Sequence, residues 1–133
     1  VAMTPALDRS VGVLQRAGLD LRRMREQPTP AGAPRQAFFR LGAEVLELVQ
    51  EPDEALRRSE ADAARPAVAE RPARFWGLAL LSSDLDRTVA AFGEVAGEPR
   101  DAVQAGRRIV TVKRSAGLAV PIAVISARAA DDR

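Results

Sequence analysis

The sequence predicts an α+β fold made of two tandem βαβββ modules, and three observations lead to this prediction. The segment Leu7–Val11 (LDRSV) recurs as Leu85–Val89 (LDRTV), and Ala17-Gly18 recurs as Ala96-Gly97. In each half, an apolar segment precedes the repeated segment, and a short strand and a hairpin follow it. Because a repeat applies to both halves at once, each half is expected to contain a strand, a helix and three further strands, in that order.

The first module is expected to span residues 1–50, with its first strand truncated. Val1–Met3 is apolar and is typical of the end of a strand. Thr4-Pro5 suits the N-cap and first position of a helix, whose apolar stripe recurs at helical spacing: Leu7, Val11 and Leu14. A short strand over Leu19–Arg25 and a proline-rich loop over Gln27–Pro34 are expected to follow.

The segment Gln36–Gln50 (QAFFRLGAEVLELVQ) predicts a β-hairpin whose loop is Gly42-Ala43. In that register Phe38 lies opposite Glu47, and Arg40 lies opposite Val45. One face is apolar and needs a core; it carries Phe39, Leu41, Leu46 and Leu48. The other face places a carboxylate and a guanidinium among apolar side chains, which predicts the wall of a pocket.

Residues 51–74 are predicted to be a linker, because they contain three prolines, many alanines and mixed charges, and Asp53–Ala64 within it is a candidate short helix. The second module is then expected to span residues 75–133. Phe75–Ser83 is a nearly continuous apolar segment and predicts a buried strand. A helix is expected to begin at Ser83 and end at Gly97, and the remaining strands are expected at Arg100–Gln104, Arg107–Arg114 and Leu118–Ser126.

Composition excludes several classes of chemistry. The 133 residues include no cysteine and no histidine, which rules out thiolate nucleophiles, Ser-His-Asp catalysis and histidine metal sites. The lack of cysteine also fits a reducing compartment, so a cytoplasmic location is expected. Any metal would need carboxylate and carbonyl oxygens as ligands.

Charge and hydropathy exclude two classes of partner. The net charge is only +2, and the arginines are spread along the chain among acidic residues, so no nucleic-acid-binding surface is predicted. No apolar run approaches about 18 residues, so no membrane span is predicted. A small molecule is therefore the expected ligand. The truncated first strand leaves an open sheet edge, which makes a homodimer a possible assembly.

The doubled βαβββ order, together with Leu80–Asp86 (LLSSDLD) and Val45–Val49 (VLELV), resembles the vicinal-oxygen-chelate superfamily, which includes glyoxalase I, bleomycin-resistance proteins and extradiol dioxygenases. The resemblance covers nearly the whole chain except the linker. It implies that the two modules form a curved, eight-stranded mixed sheet with helices outside and a ligand in the resulting cup.

The same resemblance implies four metal-binding positions, and this chain departs from them. Glu47 matches the position in the last strand of the first module. Ala123 and Gly77 occupy the two positions of the second module, and the fourth would precede Val1. Two protein ligands at most are too few for a hard ion. We therefore expect a metal-independent protein without a cofactor.

The inner face of the cup, as the resemblance implies it, supplies the candidate site. The ligand-binding candidates are Phe38, Arg40, Val45, Phe75, Gly77, Ala79, Arg108 and Ala123. Glu47 has two interpretations: a general base whose pKa is raised by burial, or a structural partner of Arg40 whose pKa is lowered. The ion pair with Arg40 is the preferred interpretation.

Three functions follow from this candidate site. The first is a glyoxalase-like protein that binds a small, largely apolar molecule in the cup between the modules. The second is an isomerase or lyase of the same superfamily with Glu47 as general base. The third is a scaffold whose cup is filled by its own side chains or by a partner.

Overall fold

The computed structural model describes residues 1–26, 34–61, 66–102 and 104–128. It divides into two units, Val1–Phe75 and Trp76–Arg133. Each unit carries a mixed sheet, and the βαβββ order occurs once in each unit. The predicted α+β class and the tandem repeat are therefore confirmed. Among the described residues, no helix is long and apolar enough to cross a membrane.

The first unit is a five-stranded sheet packed against one helix. The strands are β1 (Ala2–Thr4), β2 (Asp20–Glu26), β3 (Arg35–Leu41), β4 (Glu44–Gln50) and β5 (Arg74–Phe75), in the order β2-β3-β4-β1-β5. Helix α1 (Leu7–Arg16) connects β1 to β2. Helix α2 (Asp53–Glu60) and a 3-10 turn (Val68–Glu70) precede β5. Strand β1 is parallel to β4 and antiparallel to β5.

The second unit repeats this arrangement with four strands. They are β6 (Leu78–Ser82), β7 (Arg100–Asp101), β8 (Arg108–Thr111) and β9 (Ile122–Ser126), in the order β6-β9-β8-β7. Helix α3 (Leu85–Phe92) follows β6, and β6 is parallel to β9. The described part of this unit includes no counterpart of β5 beside β6.

The predicted hairpin is present, and its register is confirmed. Phe38 pairs with Glu47 and Arg40 pairs with Val45. Phe39 is fully buried, because its face of the hairpin packs under α1 in a core of six buried side chains: Ala2, Leu7, Val11, Ala37, Phe39 and Leu48. Burying an aromatic ring of this size stabilises the unit by roughly 2–3 kcal/mol.

The strand-to-helix junctions show that the sequence repeat is also a repeat of contacts. The hydroxyl groups of Thr4 and Ser10 lie 2.7 Å apart, and those of Ser82 and Thr88 lie 2.8 Å apart. In both units the strand hydroxyl also accepts the backbone N–H two residues later. This shared bonding accounts for the equal spacing of the hydroxyl residues in the two halves.

A second repeated contact links each helix to the third strand of its module. The guanidinium of Arg35 donates a hydrogen bond to the carboxylate of Asp8 at 2.7 Å. The guanidinium of Arg108 donates to the carboxylate of Asp86 at 2.9 Å. The Arg35 guanidinium lowers the pKa of Asp8 through a hydrogen bond and its charge. Both pairs are exposed, so they align the helix on its sheet and contribute little to stability.

The core of the second unit is smaller. Its buried side chains are Leu85, Ala96, Val110 and Val124, with Val89 and Phe92 packed against them. Leu80 and Leu81 on β6 are 48% and 68% exposed. The predicted buried strand is therefore exposed, because β6 is an edge strand whose one partner among the described strands is β9.

The structure corrects four element predictions. The segment predicted as one strand, Phe75–Ser83, is divided: Phe75 pairs with Ala2 in the first unit, and β6 begins at Leu78. The predicted start of α3 at Ser83 is wrong, because the helix begins at Leu85 after Asp84, whose carboxylate accepts the N–H of Arg87. Helix α3 ends at Phe92, where Gly93 has φ = 56°, and not at Gly97.

The fourth correction concerns the start of α1. The helix begins at Leu7 after Ala6, and Thr4 belongs to β1, so Thr4-Pro5 does not supply the predicted N-cap and first helical residue. The proline-rich loop at residues 27–33 and the predicted frayed end at residues 129–133 lie outside the described residues.

Candidate functional site

The candidate site lies on the face of the first sheet that is turned away from α1. Side chains alternate along a strand, so Glu47 points to the opposite side from its neighbours Leu46 and Leu48, which pack toward the core. Glu47 is half-buried on this face. A carboxylate that is partly removed from water but attached to a rigid central strand is well placed to exchange a proton with a bound ligand.

One hydrogen bond orients Glu47. The side-chain amide of Gln36 donates to Oε1 of Glu47 at 2.8 Å, across the β3–β4 pair. Burial raises the pKa of Glu47, and the Val1 amino group and Arg25 oppose that rise. The pKa is raised on balance because burial destabilises the charged carboxylate more than the two cations stabilise it.

The predicted ion pair between Glu47 and Arg40 is wrong. Arg40 turns toward the end of the hairpin, where its Nε donates to the carbonyl of Gly42 at 3.1 Å. The cations that act on Glu47 are the Val1 amino group and Arg25. The raised pKa agrees with the other interpretation of Glu47, that of a general base.

A basic cavity lies at the closed end of the same hairpin. It has a volume of about 530 Å³, and the predicted residues Phe38, Arg40 and Val45 line it together with Arg22 and Arg23. The Arg23 guanidinium lies 5.4 Å from the centre of the Phe38 ring, a cation–π contact that holds it beside the cavity. Glu44 is the one carboxylate in the lining, and Arg22 is also paired with Asp20 at 3.2 Å. The three guanidinium groups keep further N–H donors, so the cavity is suited to an anionic group.

The remaining predicted ligand-binding residues lie elsewhere. Phe75 is in the first unit, on β5, and is 79% exposed. Ala79 and Ala123 pair with each other on β6 and β9. Gly77 is buried, and a Cβ there would lie 2.6 Å from the Pro121 carbonyl oxygen, so its small size is required by the β9 backbone.

Arg108 is on the helix side of its sheet. Its guanidinium bonds Asp86 of α3, and the next residue but one, Val110, is in the core under that helix. The β8–β9 connection contains a 3-10 turn at Arg114–Ala116 and extends to Pro121. Arg108 and Val110 share one face by alternation along β8, and that face is the one packed under α3.

The structure does not fit the divalent ion that the fold resemblance implies. Ala2 pairs with Leu48 and Leu80 pairs with Val124, so Ala123 occupies on β9 the place that Glu47 occupies on β4. A methyl group at that place cannot ligate an ion. Within the described ranges, no three acidic, histidine or cysteine side chains converge. We therefore derive no chemical step through a metal.

Sequence reasoning missed four residues of this site: Gln36, Arg22, Arg23 and Arg25. Gln36 shares the face of Phe38 by simple alternation, so the hairpin pattern contained the signal for it. Arg23 and Arg25 pair with Phe38 and Gln36 across β2–β3, after a register shift between Leu21 and Arg23. No sequence pattern indicates that shift, because the intervening loop is long and proline-rich.

Comparisons with known proteins agree with this geometry at the level of the fold. No protein-family model matches the sequence, and no curated protein matches it. Methylmalonyl-CoA epimerase from Mycobacterium tuberculosis has a similar structure, with a TM-score of 0.65, 20% identity, and coverage of 94% of this chain and 83% of that chain. A hypothetical protein of Bacillus halodurans C-125 gives a TM-score of 0.70 and 12% identity, with coverage of 99% of this chain and 94% of that chain.

A methylmalonyl-CoA epimerase in complex with methylmalonyl-CoA and NH4+ gives a TM-score of 0.66 and 16% identity, with coverage of 96% of this chain and 91% of that chain. Identities this low show a shared fold and leave the chemistry open. The repeated βαβββ units and these structural neighbours together show that this chain has the fold of the vicinal-oxygen-chelate superfamily.

Proposed function

We propose that this protein is a metal-independent isomerase-type enzyme that moves a proton on a small acyl compound carrying an anionic group, with Glu47 as the general base. The observation that carries the proposal is the raised pKa of Glu47, which is caused by burial on an open face of a rigid strand. A base whose pKa lies closer to neutrality than that of an ordinary carboxyl holds an abstracted proton more readily.

Two further features support this function. Gln36 donates to one oxygen of Glu47, which orients the carboxylate and leaves the second oxygen for the substrate. The cavity at the end of the hairpin brings Arg22, Arg23 and Arg40 to the same unit, and these guanidinium groups would bind the anionic part of the substrate. Binding there would hold the reacting carbon near the strand that carries Glu47.

The proposed step is a simple proton transfer. Glu47 removes a proton from the carbon next to a carbonyl, and the C–H electron pair becomes the enolate. The enolate then turns over in the site, and the same carboxyl returns the proton to its other face, which inverts the carbon. A single base is proposed because Ala123 takes the place of Glu47 on β9 and has no proton to give. The structural neighbours include epimerases, which is consistent with this class of reaction.

Deuterium exchange tests this proposal directly. Methylmalonyl-CoA incubated with the protein in ²H₂O should gain deuterium at its 2-position, and the rate should rise with pH as Glu47 ionises. Glu47→Gln should lower the rate by about 10²–10⁴-fold. Glu98→Gln is the control, because Glu98 is an exposed carboxylate of the second unit that lines neither cavity. Equal rates in Glu47→Gln and the wild type would refute the role of Glu47.

The second candidate is a binding protein of the glyoxalase and bleomycin-resistance type that holds a largely apolar molecule without turnover. The absence of a second proton donor at Ala123 favours it. Calorimetric binding of methylmalonyl-CoA by both the wild type and Glu47→Gln, with no deuterium uptake by either, would select this candidate.

A cytoplasmic location and a homodimer belong to the proposal as well. Light scattering of the purified chain tests the homodimer.

A further inference from the structure

A second cavity lies on the other side of the first sheet from Glu47. It has a volume of about 420 Å³, within the range of roughly 300–1,000 Å³ that is typical of small-molecule sites. Its floor includes Leu46 and Leu48, which alternate with Glu47 along β4 and therefore point to the opposite face. This cavity is independent of the proposed catalytic face.

The walls of this cavity come from two elements that are held in place. On one side lie Val13 and Leu14 of α1, and on the other lie Pro72 and Ala73. The second wall is fixed because β5 pairs with β1 directly after it, and because the Arg9 guanidinium donates to the carbonyl of Arg71. The described part of the second unit has no strand equivalent to β5, so this cavity is not part of the repeat.

The lining is aliphatic inside and charged at the rim. The rim carries the guanidinium groups of Arg9 and Arg74 and one carboxylate, that of Glu70. The Nη2 atom of Arg74 also lies 3.4 Å from Oε1 of Glu51, which makes an ion pair. A guanidinium has five N–H donors, so each arginine can still bind an anion while it keeps its present contact.

We propose that this cavity binds the chain of a medium-length aliphatic carboxylate, with its carboxylate at Arg9 and Arg74. The aliphatic floor selects a hydrocarbon chain, and the N–H donors that Arg9 and Arg74 keep for a carboxylate select the acid over an alcohol of the same length. The site is separate from the face of Glu47, so the two can be occupied at once.

Isothermal titration calorimetry with octanoate, kept below its micelle concentration, tests this proposal on the full chain. Affinity should rise about fourfold for each added methylene from hexanoate to octanoate. 1-Octanol should bind at least fivefold more weakly than octanoate. Affinity that does not depend on chain length, no octanoate binding, or equal binding of octanol would each overturn the proposal.

Variants place the binding in this cavity. Ala73→Trp and Val13→Trp each fill the space from a different wall and should remove octanoate binding, while Leu118→Trp adds the same group at an exposed position in the second unit and should not. Glu47→Gln should leave octanoate binding unchanged. Circular dichroism confirms that each variant is folded, and retained octanoate binding in both filled variants would refute the assignment.

Discussion

The hydroxyl pair at the junction of β1 and α1 gives the sharpest prediction about stability. Thr4 is fully buried, and its hydroxyl bonds Ser10 at 2.7 Å and accepts the N–H of Ala6 at 3.2 Å. Thr4→Val keeps the shape of the side chain but removes both hydrogen bonds. Each net hydrogen bond contributes about 0.5–1.5 kcal/mol, so the free energy of unfolding should fall by about 1–3 kcal/mol.

The repeat supplies a matched control for this variant. Ser82 makes the same two contacts at the start of α3, with Thr88 and with the N–H of Asp84, but it is only half-buried. Water can replace its bonds, so Ser82→Ala should cost less, about 0.5–1 kcal/mol. Both variants can be compared by urea unfolding followed by far-ultraviolet circular dichroism.

A double-mutant cycle isolates the hydroxyl–hydroxyl bond itself. If Thr4 and Ser10 act as a pair, the variant with both Thr4→Val and Ser10→Ala should lose less unfolding free energy than the two single variants lose together. The expected coupling energy is on the order of 1 kcal/mol. A loss below about 0.5 kcal/mol for Thr4→Val, together with strictly additive single losses, would refute the argument that this pair stabilises the junction.

Three further predictions concern Glu47, two glycines and metal ions. Burial raises the pKa of Glu47, so its proton is bound more tightly in the native state, and the free energy of unfolding should fall as pH rises between the ordinary and the raised pKa. Glu47→Gln should remove that dependence and raise the free energy of unfolding at pH 7, as read from urea midpoints; an unchanged pH profile would contradict the assignment. Gly77→Ala should lower the free energy of unfolding by about 1–3 kcal/mol, because the new Cβ would lie 2.6 Å from the Pro121 carbonyl oxygen. Gly12→Ala in α1 should raise it by about 0.5–1 kcal/mol, because only the movable end of the Arg16 side chain lies near the new Cβ. Thermal melting should separate these two variants in opposite directions, and a Gly77→Ala variant as stable as the wild type would show that the close approach is unimportant. Addition of Zn²⁺, Ni²⁺ or Mg²⁺ should leave the melting temperature unchanged, and a rise that grows with metal concentration would contradict metal independence.

Features that depend on short-range patterns could be predicted from the residues alone. Alternation of apolar and polar residues around Gly42 predicted the register in which Phe38 faces Glu47, because a two-residue loop leaves only one pairing of the two strands. The repeated segments at Leu7 and Leu85 predicted two βαβββ units, because the same local contacts recur at each strand-to-helix junction.

The long-range partners of those patterns could not be predicted in this way, because they depend on how the strands assemble. Phe75 and Leu78 belong to one apolar segment but pair with β1 and β9 respectively, and local hydropathy does not distinguish the two strands. The charge state of Glu47 was also undecided in the sequence, since burial and a pair with Arg40 shift its pKa in opposite directions. Arg40 bonds the backbone of its own loop and Gln36 bonds Glu47, so burial, which is a property of the assembled sheet, sets the pKa.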